Sequence, residues 1–238
     1  MDMAPAIQGA GDELIVGYTP SFRTSTGWRH TFRQTRPAPD GGIIRRVTFD
    51  NVDDPHRRVL VDVAEYPGPT EAAKKLEDAR KAANFKTTAA PSRFGPGSFA
   101  FPETDARSLY FNRFNLMIWV YSCGREPVYV SPWAEQILTD LEAQHTTEPG
   151  SDLVLAAGNT PAASSPSIQI AVTSKWDFGE WAWRKFKATG GTLTRSMEND
   201  TVLFRPTAGS MEGSVTGWAI EPGRPTYAGR YTPPRRSA

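Results

Sequence analysis

Apolar and polar residues alternate along much of the first half of the chain, as they do on strands that bury one face. The segment Arg58–Tyr66 is the clearest example, because Val59, Val61 and Val63 fall on one face. The run Leu116–Cys123 is almost wholly apolar instead, which predicts a central strand covered on both faces. Further strands are predicted at Glu13–Tyr18, Gly27–Phe32, Ile43–Phe49, Phe99–Pro102 and Arg107–Phe111.

Two segments carry the three- and four-residue apolar spacing of an amphipathic helix. Thr70 is placed as an N-cap for Glu71–Asn84, and Ser131 is placed in the same way before Pro132–Ala143. Together with the antiparallel strands, these helices predict an α+β domain over residues 12–145, in which an N-terminal antiparallel sheet packs with two helices.

A change of composition separates this part of the chain from the rest. Residues 146–166 are rich in Thr, Pro, Ala, Ser and Gly, which is typical of an extended linker. Short alternating segments without a helical stripe follow, and they predict a small all-β sandwich over residues 167–232. The segments are Ile168–Thr173, Trp181–Ala188, Gly191–Thr194, Thr201–Arg205, Gly213–Ile220 and Thr226–Thr232.

Two local features of the first part point to a known family. Tyr66-Pro67 leads into the first helix, and an Arg113-Phe114-Asn115 turn joins two apolar strands. This order of strands, helix, meander and closing helix resembles the PsbP-like superfamily, which includes LpqN-type lipoproteins, over about residues 12 to 145. The resemblance implies a domain that docks on other proteins and carries no transferable catalytic set.

The second half looks similar to bacterial Ig-like domains. The likeness rests on Ala188–Leu193, Thr201–Pro206 and Gly213–Thr216. At about 70 residues the segment is short for a complete Ig sandwich. We therefore expect one or two strands to be missing or to be supplied by the linker.

The charge balance argues against nucleic acid as a partner. Lys and Arg total 27 against 26 Asp and Glu, so the net charge of +1 gives no long-range field. No run approaches the roughly 18 apolar residues of a membrane span, so no direct membrane span is expected. If Met1 is the native start, the chain is cytoplasmic; if Met1 was added to a mature chain, a periplasmic or extracellular location stays open.

Residues that could carry chemistry are few. Cys123 is the only cysteine and the three histidines stand apart, so neither a disulfide within the chain nor a metal or cofactor site is expected. Asp62 and Glu65 are a candidate carboxylate pair for a hydrolase. A spacing of three on a strand, however, sends two side chains to opposite faces.

An aromatic cluster in the second half is the one feature above background. Five aromatic residues fall within eleven positions, and a further tryptophan, Trp218, is expected on a neighbouring strand. Either the tryptophans form the core of the sandwich, or they form an exposed platform for a sugar ring or a protein partner. Both interpretations stay open. The five are Trp176, Phe178, Trp181, Trp183 and Phe186.

These patterns predict a non-enzymatic accessory protein or extrinsic subunit that docks on a larger protein or membrane complex through exposed aromatics and arginines. The alternative is a carbohydrate-binding module that stacks a polysaccharide on the tryptophans, and a third possibility is the hydrolase with Asp62 or Glu65. The predicted partner-binding residues are Trp176, Trp181, Trp183 and Trp218, with Arg184, Arg235 and Arg236 at the rim.

Overall fold

The computed structural model describes the chain in ten stretches, which contain fifteen strands in three sheets, two α-helices and one short 3-10 helix. The stretches are residues 12–22, 27–38, 41–83, 87–101, 107–145, 153–157, 167–174, 177–197, 200–207 and 213–233. The helices are α1 (Pro69–Ala82), α2 (Ser131–Glu142) and the 3-10 helix Ser92–Phe94. The strands are β1 (Glu13–Val16), β2 (Trp28–Pro37), β3 (Ile43–Asn51), β4 (Arg58–Glu65), β5 (Thr88–Ala89), β6 (Phe99–Ala100), β7 (Ser108–Arg113), β8 (Leu116–Ser122), β9 (Leu153–Ala157), β10 (Ile168–Ser174), β11 (Trp183–Thr189), β12 (Gly191–Arg195), β13 (Thr201–Pro206), β14 (Ser214–Ile220) and β15 (Tyr227–Tyr231).

The predicted α+β class is wrong, because the protein is predominantly β. About half of the described residues lie in strands, and only two α-helices occur among them. An α+β unit made of one N-terminal sheet and two helices does not describe this fold. α1 and α2 lie on opposite faces of the large sheet, and α2 shares its face with a second sheet. The apolar spacing of each helix predicts that one side is buried, but it does not indicate which face of the sheet that side covers.

The largest sheet has seven antiparallel strands in the order β2-β3-β4-β8-β7-β6-β5. Its inner face carries the alternating apolar residues of the central strands, such as Val61 opposite Val120. The buried side of α2 packs on this face through Trp133, Ile137 and Leu141. Burial of these side chains is the main stabilising contribution of this layer.

Helix α1 covers only one end of the outer face of the same sheet. Ala72 and Leu76 of α1 are buried in a cluster with Ile44, Ala64 and Met117, which lie on the outer face. The helix begins at Pro69 with Gly68 as its N-cap, so the predicted cap at Thr70 is two residues late. Proline suits this position because it lacks the N–H that a first turn leaves without a partner.

Two four-stranded sheets make up the rest of the fold, in the orders β1-β11-β14-β15 and β12-β13-β10-β9. They pack on each other through a shared apolar cluster that includes Leu14, Leu155, Phe186 and Phe204. Two of these strands come from outside residues 167–232. The strand β9 lies within the segment expected to be linker, and β1 lies at the start of the expected first domain.

The sheet that contains β1 is covered on both faces. Leu14 and Val16 point into the cluster between the two small sheets, whereas Ile15 points the other way and joins the core of the seven-stranded sheet. Trp183 on β11 belongs to the same large core as Ile15. The described elements therefore form three packed sheets, with the β1-containing sheet in the middle.

Two wholly buried polar side chains attach β1 to the seven-stranded sheet. Asn115 accepts a hydrogen bond from the Ile15 amide (2.7 Å) and donates to the Ile15 and Tyr66 carbonyls (3.0 Å each). Glu65 accepts from the Gly17 amide at 2.9 Å. These bonds satisfy the backbone where β1 ends against the large sheet, which a buried edge requires.

Glu65 also lies at the centre of a buried ion cluster. Arg45 of β3 donates to it at 2.6 Å, and Arg195 of β12 donates to it at 2.7 Å. Only 2% of Arg195 is exposed, and its guanidinium also donates to the Thr201 carbonyl and to Asp200. The cluster joins the large sheet to the outermost small sheet.

Replacement of Arg195 by methionine should therefore lower the free energy of unfolding by about 3 kcal/mol, because it leaves part of a buried carboxylate uncompensated. Chemical denaturation by urea, followed by tryptophan fluorescence, measures the change. Arg205→Met is the matched control, since Arg205 is exposed on the neighbouring strand and should cost less than about 0.5 kcal/mol. Equal effects of the two substitutions would contradict the proposed contribution of the cluster.

Candidate functional site

The predicted tryptophan platform is placed largely in the interior. Trp183 and Trp218 are 3% and 9% exposed. Trp183 meets Tyr18 edge-on, with 5.3 Å between ring centroids. Both lie on the sheet that is packed between the other two, where the exposed residues of β11 are Lys187 and Thr189 near its end. Of the two interpretations of the cluster, burial in the core describes these two residues.

The other predicted contact residues lie apart from one another. Trp181 is partly buried and contacts His30 edge-on at 5.1 Å, and Arg184 is also partly buried. Trp176, Arg235 and Arg236 lie outside the described residues, so their predicted role stays a prediction.

The two carboxylates considered for hydrolysis do not share a cavity. Asp62 and Glu65 are both wholly buried and lie on opposite faces of β4. Arg46 binds Asp62 with two hydrogen bonds (2.7 and 2.5 Å), as Arg45 and Arg195 bind Glu65. No group of three or more His, Cys, Asp or Glu residues that could hold a metal ion occurs within the described stretches.

A candidate site lies instead on the part of the large sheet's outer face that α1 leaves open. Cross-strand pairing places Tyr110 opposite Trp119 and Ser108 opposite Tyr121, all on this face. With Phe101, Arg107 and Ser122, these side chains line a cavity of about 430 Å³. We call the set Phe101, Arg107, Tyr110, Trp119 and Tyr121 the outer-face patch.

The rings of the outer-face patch are held in a stack. Tyr110 lies between Phe99 and Trp119, with centroid distances of 4.7 and 6.4 Å and interplanar angles of 5° and 10°. Phe101 meets Tyr110 edge-on at 5.6 Å. Phe99 is buried in the cluster beneath α1, so it anchors the stack at its inner end. Rings already packed in this way lose little conformational freedom when they bind a partner.

The electrostatics of the outer-face patch favour hydrogen-bond donors. Burial, with the nearby Asp62 charge as a second cause, raises the pKa of Tyr121 to about 12 and raises the pKa of Tyr110 above its ordinary value. Both phenols are therefore protonated at neutral pH. The negative charge of Asp62 is balanced by the ion pair with Arg46, and no carboxylate lines the cavity.

Ser108 adds a buried hydroxyl to this cavity. It is 7% exposed, and its Oγ has no hydrogen-bond partner within the described part of the chain. An unpaired buried hydroxyl is costly, and this oxygen lies beneath the surface of the cavity.

Sequence reasoning missed this site because it treated β8 as covered on both faces. Trp119 and Tyr121 are in fact only partly buried: Trp119 packs at the margin of the cluster beneath α1, and Tyr121 is not part of that cluster. A usable signal was present. The hairpin turn after β7 sets Tyr110 opposite Trp119, and aromatics two apart on one strand share a face.

No protein-family model, curated protein or solved structure matches this chain. The resemblances to PsbP-like and Ig-like domains therefore stay predictions. Within the described stretches, neither helix has the length and apolar character needed to cross a membrane.

His145 is partly buried beside two of the predicted tryptophans. Its ring lies 6.2 Å from that of Trp183 and 6.4 Å from that of Trp218. Burial lowers the pKa of His145, and the charge of Lys185 lowers it further. Below about pH 6.5, the unfolded chain binds a proton at this position that the folded protein resists binding.

The wild-type protein should therefore lose more unfolding free energy than His145→Gln when the pH falls from about 7.5 to about 5.5. Urea denaturation at a series of pH values measures this difference. His56→Gln is the control for the loss of a histidine, because His56 lies in an exposed turn. Parallel slopes for wild type and His145→Gln would contradict the expectation.

Proposed function

We propose that this protein is a non-enzymatic accessory protein that docks on a larger protein or membrane complex through the outer-face patch. The observation that carries the proposal is the open half of the seven-stranded sheet, where partly buried aromatic side chains and Arg107 surround a cavity. The proposed contact residues are of the types expected from the sequence, aromatics and arginine. They lie on the seven-stranded sheet, however, and not in the second half of the chain.

The composition of the outer-face patch supports a protein partner. Tyr, Trp, Phe and Arg are enriched at the centres of protein interfaces and depleted elsewhere on protein surfaces. The patch contains four aromatic side chains and one arginine, and the stack from Phe99 to Trp119 holds three rings rigid. A preformed aromatic centre of this kind provides affinity without a large entropic penalty.

The distribution of donors supports an acidic or carbonyl-rich partner surface. The protonated phenols of Tyr110 and Tyr121 and the guanidinium of Arg107 all offer donors. A partner surface with carboxylate or backbone carbonyl groups around an apolar centre would match them.

Carbohydrate binding is the second candidate, favoured by the partly exposed ring of Trp119 beside a cavity that also contains hydroxyl groups. In that case the free protein would bind polysaccharide as a monomer through the same patch. Protein docking predicts that a protein contacts Tyr121, whereas carbohydrate binding predicts that a polysaccharide does.

Site-specific photocrosslinking in the organism that makes the protein tests the proposal. A benzophenone amino acid at Tyr121 should give one discrete protein adduct, and the same probe at Tyr129 should not, because Tyr129 is 60% exposed but lies outside the patch. Trp119→Ala should abolish the adduct. With the partner purified, this substitution should weaken binding by about 30-fold, as expected for truncation of a central tryptophan.

Two outcomes would contradict docking through this patch. Equal crosslinking from Tyr121 and Tyr129 would indicate contact without specificity. Retention of the free protein on polysaccharide, lost in Trp119→Ala and without any protein adduct, would replace docking by carbohydrate binding.

A further inference from the structure

A second cavity, of about 240 Å³, lies on the inner face of the large sheet, and aromatic rings form its walls. Five of its six lining residues carry a ring, and none carries a carboxylate. The outer-face patch contributes nothing to it. The lining residues are Ser21, Phe22, Trp28, His30, Phe49 and Trp181.

The rings of this cavity stand at steep angles to one another. Phe22 and Phe49 are 7% and 2% exposed and form its floor, with their planes at 90°. His30 meets Trp181 at 89°, and these two residues with the partly buried Trp28 form its wall. Ring faces and edges from several directions therefore surround one small volume. Among the described ring pairs of the lining residues, none has the parallel stacking that would suit a flat ligand.

The backbone at Phe22 is held in an unfavourable conformation. Its φ of 41° lies in the left-handed region, which a bulky residue adopts rarely. The ring is fixed there by Phe49 at 5.1 Å and by Trp133 at 4.4 Å. Strain of this kind persists only where the surroundings impose it, and it is concentrated at ligand sites.

The Trp181 ring already holds a cation over one of its faces. The guanidinium of Arg33 lies 4.9 Å from the centroid of the Trp181 ring. Glu180 pairs with Arg33 at 3.3 Å, which balances the positive charge beside the cavity. The negative ring face of tryptophan is the strongest aromatic partner for a cation.

We propose that this cavity binds a methylated ammonium group. Several aromatic rings at steep angles around a small volume are the arrangement that recognises quaternary ammonium ions, because each ring presents electron density to a diffuse positive charge. An unmethylated ammonium would need several hydrogen-bond acceptors and a metal cation would need oxygen ligands, but the lining provides only the Ser21 hydroxyl and the His30 ring as polar groups. This inference is independent of the docking proposal.

The test compares choline with its uncharged carbon analogue, 3,3-dimethylbutanol, which has the same shape and lacks the charge. Isothermal titration and NMR shift mapping on the full chain measure both. Choline should bind in the millimolar range and shift the indole signals of Trp28 and Trp181, whereas the analogue should bind at least several-fold more weakly. Equal affinity for the two compounds would show an apolar pocket without charge recognition and would overturn the proposal.

Variants locate the binding to the cavity. Trp181→Leu should weaken choline binding by roughly 5- to 30-fold, in line with the loss of a desolvated cation–π contact. Trp119→Leu, on the outer face, is the matched control and should bind choline as the wild type does. The same loss in both variants would overturn the assignment, as would an absence of saturable choline binding to the wild type.

Glu180→Gln keeps the test valid if Trp181→Leu does not fold. Glu180 is 69% exposed at its side chain, so its replacement should leave the fold intact. Without it, the charge of Arg33 is unbalanced beside Trp181, and choline binding should weaken while binding of the uncharged analogue stays the same. Equal change for the two compounds would contradict the electrostatic basis of the proposal.

Discussion

The buried carboxylate of Glu65 is the interaction on which the three-layer arrangement depends. One side chain accepts hydrogen bonds from the backbone after β1, from Arg45 on β3 and from Arg195 on β12. A buried carboxylate is tolerated only when it is fully paired, so these three segments must be present together for any of them to be satisfied. The ion cluster therefore specifies how the sheets meet, while the apolar clusters supply most of the free energy.

The middle sheet explains where the exposed aromatic side chains lie. Because it is packed on both faces, the tryptophans of β11 and β14 serve the interior, and surface contacts must come from elsewhere. The seven-stranded sheet is the opposite case, since a helix of fourteen residues covers only one end of its outer face. The outer-face patch follows from this incomplete cover.

Local patterns in the sequence predicted single elements better than their partners. The strands β4 and β8 and both helices occur close to where their apolar spacing placed them, because that spacing depends on neighbouring residues alone. The pairing of β1 with β11, and the strand β9 in a segment of linker-like composition, depend on contacts between distant parts of the chain. The candidate site was missed for the same reason. Its aromatic side chains have the pattern of core residues, and only the position of α1 on the sheet shows that some of them are uncovered.

The position of β1 has a consequence for the order of folding. Ile15 pairs with Lys185, about 170 residues later in the chain, so β1 leaves the ribosome long before the strand with which it pairs. Until then its apolar residues and unpaired edge remain available to other chains. Completion of the fold is therefore tied to synthesis of the C-terminal half, and a chain truncated before β11 would expose a segment prone to aggregation.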